Sequence, residues 1–500
     1  MNTKHTAIAI GIALAFCGNA SAADDGKSRR VEDLEARIAK LEEQLRAVTS
    51  MAQQATTAAQ QASDVAKQAD TTATAAKVAT DTQAPLTKAA GETASSFEFH
   101  GYARSGTVSG GDMYTVKGVG PYFTPAGPLG GAVGRLGVET DTYVEAKMIK
   151  NFRTDDGSTG SFNFMVADGT NSNNDWTAGE NGVNVRWVFG ELSKLASFKG
   201  TALENATLWA GKRFDKKNYD IHFFDSDVIF LAGTGAGVYD VEVTPDWKSS
   251  FSVYGRDFVN DDDDSVKSYI VTTNNFIGNW QVMLNGIRAK QNENADSGRA
   301  TTGYHGLLGY NAPTFYGVAS GFSKTGILFG RGLGAEVKRV GAVGNLQDDA
   351  QAVRVFTMGV TDLAKDWKIA PALMAETSKD RFNKGDEYKW VSANLRLNNA
   401  INKNFAMQYE ATYQYMDLDS TFDTGKGGFY KLTVAPTFKL DTSAGFFARP
   451  ELRLFGSWMG WDKDLNGFSY DGTANNGTFG NTTFKGSSKW LFGAQMEVWF

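Results

Sequence analysis

The segment Trp490-Leu491-Phe492-Gly493-Ala494-Gln495-Met496-Glu497-Val498-Trp499-Phe500 decides the fold. Trp490, Phe492, Ala494, Met496, Val498 and Phe500 form one alternate set, all apolar, while Leu491, Gly493, Gln495, Glu497 and Trp499 form a mostly polar set. Period 2 is the spacing of a β-strand, and one wholly apolar face fits lipid outside and water inside. An aromatic at the chain end is characteristic of outer-membrane barrels. Working outward, the pattern recurs at Phe97, Phe99, Gly101 and Ala103 against Glu98, His100, Tyr102 and Arg104. In 142–148, Tyr143, Glu145 and Lys147 oppose Val144, Ala146 and Met148. In 446–454, Phe447, Arg449, Glu451 and Arg453 oppose Phe446, Ala448, Pro450, Leu452 and Leu454, so this segment too is expected to be strand. Gly-, Asn- and Asp-rich segments such as 471–488 and the acidic run Asn260–Asp264 read as long outer loops. A soluble sandwich shows similar alternation; the leader and the C-terminal aromatic decide against it.

That leader is residues 1–22. Lys4 supplies the positive start, Ala7 to Phe16 the apolar stretch, and Ala20-Ser21-Ala22 an A-x-A cleavage site. The stretch is too short to span a bilayer. A lipoprotein cut before Cys17 would need a small residue where Phe16 stands. The chain has 500 residues, 55 Gly, 9 Pro, 12% aromatic residues and a mean hydropathy of -0.32. No later apolar run approaches the length of a membrane helix. The net charge of -6 argues against a nucleic-acid partner. One Cys excludes a disulfide framework, four His are too few for most metal clusters, and neither a metal nor a cofactor is expected.

Residues 23–80 read as a periplasmic coiled coil. Val31, Leu34, Ile38, Leu41, Leu45 and Val48 recur at spacings of 3 and 4, the a/d seam of a helix that must pair with others. The register continues through Ala52, Ala55, Ala59, Ala62, Ala66, Ala69, Ala73 and Ala76. From Val31 to Ala76 such a rod reaches roughly 70 Å. Residues 81–96, with Pro85 and Gly91, read as a linker.

Residues 97–500 are therefore expected to form an all-β transmembrane antiparallel barrel. Their number suits about 16 to 18 strands, and counting alone does not separate the two. A barrel of this size leaves a water-filled lumen, whose natural role is passage. Its inward face mixes aromatic residues (Tyr102, Tyr143, Phe447, Trp499) with ionisable ones (Arg104, Glu145, Arg449, Glu451, Arg453, Glu497). A sugar presents apolar C–H ring faces that match aromatic planes, and hydroxyls that match paired Arg and carboxylate groups.

The segments His100–Gly106, Arg135–Gly137, Asp141–Glu145, Asn174–Trp176, Leu208–Phe214, Gly233–Gly237 and Gly493–Phe500 resemble the maltoporin family of trimeric sugar porins. The resemblance implies an 18-stranded barrel, a homotrimer, and an aromatic slide at Tyr102, Tyr143, Trp176, Phe447 and Trp499. It implies a polar track including Arg104, Arg135, Glu145, Arg186 and Asp225. On the loop expected to fold inward, Asn218, Asp227 and Phe230 stand where a maltoporin carries Arg, Tyr and Asp. The run Asn218–Asp227 is similar instead to the sucrose porins, which also carry a periplasmic coiled-coil extension. The resemblance thus implies passive diffusion of sucrose and other oligosaccharides through an outer membrane, with membrane lipid and oligosaccharide as partners. A maltodextrin-selective or general diffusion porin is the alternative. An outer-membrane enzyme would need a paired nucleophile or carboxylate near a His, and no such motif accompanies His100, His222 or His305. A coiled-coil adhesin would use only a small barrel. The 230–237 stretch lacks dinucleotide-loop spacing.

Overall fold

A computed structural model of the chain describes residues 96–113, 116, 120–127, 131–171, 183–215, 221–224, 228–257, 267–289, 299–420, 424–466, 470–473, 477–479, 484 and 486–500. The leader, the coiled coil, Trp176, Asn218, Asp225, Asp227 and the acidic run 260–264 lie outside them.

The strands are β1 (Phe97–Gly110), β2 (Asp141–Arg153), β3 (Thr159–Asn171), β4 (Asn184–Ser193), β5 (Thr207–Phe214), β6 (Ala232–Thr244), β7 (Trp247–Asp257), β8 (Lys267–Ile277), β9 (Trp280–Ala289) and β10 (Thr302–Ala312). They continue with β11 (Phe322–Gly332), β12 (Gln351–Ala364), β13 (Trp367–Lys379), β14 (Glu387–Ala400), β15 (Phe405–Asp419), β16 (Thr424–Lys439), β17 (Glu451–Trp461), a small hairpin β18 (Tyr470–Thr473) and β19 (Gly477–Phe479), and β20 (Ser488–Trp499). Each barrel strand pairs antiparallel with the next, β17 pairs with β20, and β20 pairs back onto β1, which closes an 18-stranded sheet. Closure leaves the barrel no free edge. The segment read as one long outer loop, 471–488, holds most of the hairpin and the first residue of β20.

The period-2 pattern maps onto two faces. Leu452 and Leu454 (58% and 57% exposed) and Trp490 and Phe492 point outward, while Glu451, Arg453, Gln495 and Glu497 point inward and are buried. The outer wall is thus apolar and the inner wall polar, the reverse of a soluble protein. At the rim that carries the chain ends, Pro245-Asp246, Gly278-Asn279 and Lys365-Asp366 make two-residue turns. Each is followed by a tryptophan, Trp247, Trp280 or Trp367. Gly278 (φ 56°) and Asp366 (φ 64°) supply the left-handed backbone such turns require. The tryptophans match an aromatic girdle at the membrane interface.

The segment 446–450 is not strand. Gly445–Phe447 forms a 3-10 turn and β17 begins at Glu451. Alternation across five residues does not distinguish a strand from a turn whose side chains happen to alternate. Here Arg449 fixes the turn by donating to the carbonyls of Phe446 (2.8 Å) and Ala448 (3.0 Å).

Candidate functional site

Three connections from the far rim fold into the lumen and narrow it, described at residues 131–139, at 221–224 with 228–231, and at 333–346. Their apolar residues, including Leu136, Phe224, Ile229 and Leu333, pack with inward residues of the wall such as Tyr254, Ile270 and Leu328 into the buried core. The wall holds them through their backbones. Thr412 donates to the carbonyl of Val133 (2.7 Å), Gln414 to Gly131 (2.8 Å), and Lys431 to Gly134 and Leu136 (3.0 Å each). Lys431 is fully buried and pairs with Glu410 at 2.7 Å. Gly134 has φ 79°, and a Cβ there would lie 2.5 Å from the Glu410 carboxylate, so only glycine brings this loop so close. The second and third loops join at Phe230, whose N–H donates to Lys338 (2.6 Å) and whose carbonyl accepts from Val340 (3.2 Å).

On this frame the aromatic residues form a row. Trp499 of β20 lies beside Tyr102 of β1, which lies beside Glu145 of β2. The Tyr102 and Tyr143 rings are 6.1 Å apart. His222, from the second inward loop, meets Trp499 at 5.0 Å and Tyr102 at 6.0 Å, edge to face. Toward the rim with the chain ends, Phe447 lies 6.2 Å from Phe322 of β11. Phe447 therefore does enter the lumen, but from the 3-10 turn.

Charged groups run alongside. Arg104 forms a two-pronged pair with Asp141 (2.9 and 2.6 Å) and lies 5.0 Å from the centre of the Tyr143 ring. Arg449 sits 4.1 Å over Trp499 and binds Glu497 at 2.7 Å, while Arg453 bridges Glu451 (2.5 Å) and Glu497 (3.1 Å). Tyr143 donates to Glu145. The Tyr102 hydroxyl donates to Glu497 (2.8 Å) and accepts from Arg135 (2.8 Å).

Arg135 is only 4% exposed. Its nitrogens bind Glu139 (2.5 Å), Tyr102 and the carbonyl of His222 (2.7 Å). It braces the aromatic row, as does Arg449, whose side chain is 3% exposed; the cation beside the row that reaches the lumen is Arg104, at 19%. Burial opposes ionisation of Glu139, but Arg135 and Arg104 overcome it and hold the carboxyl at about 2. Burial and the nearby Arg135 charge push the His222 imidazole below its ordinary value, against the pull of Glu497. Neutral His222 then donates from Nε2 to Glu497 (2.8 Å) and accepts at Nδ1 from Arg135 (3.1 Å); the tautomer follows from these partners.

Arg186 reaches the row by a departure from alternation. Met165 pairs with Trp187, yet Val166 pairs with Val185, so Arg186 is a β-bulge in β4. A bulge re-aims its side chain, and the guanidinium lies 6.0 Å from the Tyr143 ring centre. Phe230 packs on Phe214 at 5.6 Å, with Arg256 at 5.9 Å from its ring. Sequence reasoning missed His222, Glu139, Asp141 and Phe322. His222 stands 275 positions from Glu497, and nothing local announces that pairing. Phe322 opens a strand whose inward set, Phe322, Lys324, Gly326 and Leu328, begins with an aromatic and a cation as the other lining strands do, and that alternation is the signal that could have found it.

A closed 18-stranded barrel with an apolar outside and a polar, loop-narrowed lumen is an outer-membrane porin. Residues 97–500 match the LamB porin family, and the chain belongs to that family. Solved structures with a similar barrel include OpdQ of Pseudomonas aeruginosa, at 8% identity and TM-score 0.44, covering 81% of this chain and 99% of that one. The outer membrane protein OprD of Pseudomonas aeruginosa aligns at 10% identity and TM-score 0.42 over 81% and 93%. OmpT, an outer membrane protein of Vibrio cholerae solved in a trimer form, aligns at 9% identity and TM-score 0.36 over 81% and 100%.

Proposed function

We propose that this porin is selective for sugars and passes sucrose and other oligosaccharides by facilitated passive diffusion. The observation that carries the reading is the lining of Trp499, Tyr102 and Tyr143, flanked by the partly exposed Arg104–Asp141 pair and backed by the buried Arg449–Glu497 pair. A general pore needs charge in its water column but no row of aromatic planes. A sugar ring exchanges one plane for the next while its hydroxyls find both donors and acceptors. Trp176, Arg186 and Asp225 are assigned to the same path, and Asn218, Asp227 and Phe230 to its constriction.

The pore is proposed to act as a homotrimer. The outward face of β1 supports this: past Phe99 it carries Gly101, Ala103, Ser105, Thr107 and Ser109, and Ser105 shares a 2.8 Å hydrogen bond with Thr142. Such a polar stripe is poorly suited to lipid and well suited to a second barrel wall.

Liposome swelling with sucrose and maltotriose tests the branch. Exchanging Asn218, Asp227 and Phe230 together for Arg, Tyr and Asp fills the constriction. Sucrose, whose rings sit at an angle, should slow more than the linear glucan. An unchanged sucrose-to-maltotriose ratio would remove the sucrose assignment.

A further inference from the structure

We propose that the outer wall at the far ends of β9, β11 and β13 binds the phosphates of a phosphorylated glycolipid in the outer leaflet, through Arg288, Arg331 and Lys379. Arg288 is the last residue but one of β9, Arg331 the last but one of β11, and Lys379 the last of β13. All three strands run away from the rim that bears the chain ends, so all three cations lie at the opposite rim. Their phase is outward. Arg288 shares a face with exposed Trp280 and Leu284, Arg331 with Ile327 and Phe329, and Lys379 with Leu373.

A second observation sets their depth. Arg288 stands directly across from Tyr269, and Arg331 across from Tyr304. Both tyrosines point outward and are more than half exposed, at 56% and 52%. Tyrosine concentrates at headgroup level, with its ring toward the acyl chains and its hydroxyl toward water. The cations beside these tyrosines therefore sit among headgroups, directly above an apolar band that includes Leu284, Leu308, Ile327, Val355 and Leu373.

Register spaces the cations for one large headgroup. Arg331, Gln351 and Lys379 face one another across β11, β12 and β13, which places the two cations roughly 10 Å apart. Gln351 between them adds an amide donor. Glu387 pairs with Lys379 at 2.5 Å and with Lys389 at 3.2 Å, so one carboxylate is shared by two cations and positive charge remains in excess. Among the described residues no ion pair involves Arg288 or Arg331. At the other rim, β7, β9 and β13 begin with Trp247, Trp280 and Trp367. The occupant is a phosphorylated glycolipid because the belt offers spaced phosphate ligands together with an amide and tyrosine hydroxyls that suit a sugar headgroup.

The test titrates full-length protein in detergent with lipid A, with lipid A stripped of its phosphates, and with phosphatidylglycerol, reading bound lipid by native mass spectrometry. The triple variant R288Q/R331Q/K379Q should bind lipid A on the order of 100-fold more weakly, roughly fivefold for each cation lost. Phosphate removal should weaken wild type similarly. A matched triple at the other rim, K150Q/K365Q/K403Q, should stay within about twofold of wild type. Ion conductance of R288Q/R331Q/K379Q should be unchanged, because these side chains face away from the lumen, and this reports correct folding. Undiminished lipid A binding in that variant, or equal binding of phosphate-free lipid A, would overturn the proposal. Equally tight phosphatidylglycerol binding would also overturn it, since the belt would then read any anionic headgroup.

Discussion

Trp499→Ala removes one plane of the aromatic row and no charge. Arg449, 4.1 Å above the ring, keeps its pairs with Glu497 (2.7 Å) and Glu451 (3.4 Å), so the wall behind the tryptophan stays ordered. The lost cation–π contact is absent from both the free and the sugar-loaded variant and cancels to first order. What remains is the hexose face that the indole shielded from water, about 40 Å² at about 25 cal/mol/Å², or about 1 kcal/mol. Half-saturation for sugar block of single-pore current should therefore rise about fivefold. Trp499→Phe, which keeps a smaller plane, should fall between the two. Ion conductance without sugar should stay level or rise slightly as the lumen opens. A half-saturation constant in Trp499→Ala equal to wild type would show that sugars do not stack on this residue, and the slide assignment would fail with it.

Lys431→Met should lower stability by about 2–3 kcal/mol, because it leaves the Gly134 carbonyl buried without a donor and takes one of two cations from Glu410, which keeps Arg396 at 2.7 Å; thermal unfolding in detergent measures this, and a loosened first loop should also raise conductance. His222 holds its neutral form because burial and Arg135 lower its pKa. The native state thus resists a proton that the unfolded chain accepts, and the His222 contribution to stability is intact above about 6.5 and lost as pH falls toward the lowered native value. The thermal midpoint of wild type should drop over that window relative to His222→Gln, and parallel curves would contradict a neutral native imidazole. Deleting residues 31–80 should leave inserted pores conducting, since the barrel closes on strands that begin at Phe97; loss of conductance in correctly inserted protein would give the rod a role in the pore itself.

The sequence by itself determined which residues of each regular strand face lipid and which face water. Side-chain alternation is a local property, and the phases read at Phe97–Arg104, Thr142–Met148 and Trp490–Phe500 are those of β1, β2 and β20. It also placed Tyr102, Tyr143 and Trp499 on one lining, because a polar neighbour at every second position marks the inward side. Tertiary structure alone decided where alternation breaks. Arg186 enters the lumen through a bulge that exists only in the pairing of β3 with β4. The 446–450 segment alternates like a strand yet turns, held by Arg449 against nearby carbonyls and Glu497. The strand count of 18 is a closure condition, set by β20 returning to β1, and no local pattern encodes it. The same holds for the loops that narrow the lumen. Lys431 reaches carbonyls 297 and 295 positions away, and His222 meets Glu497 across 275. Such contacts depend on where a closed wall brings distant residues together.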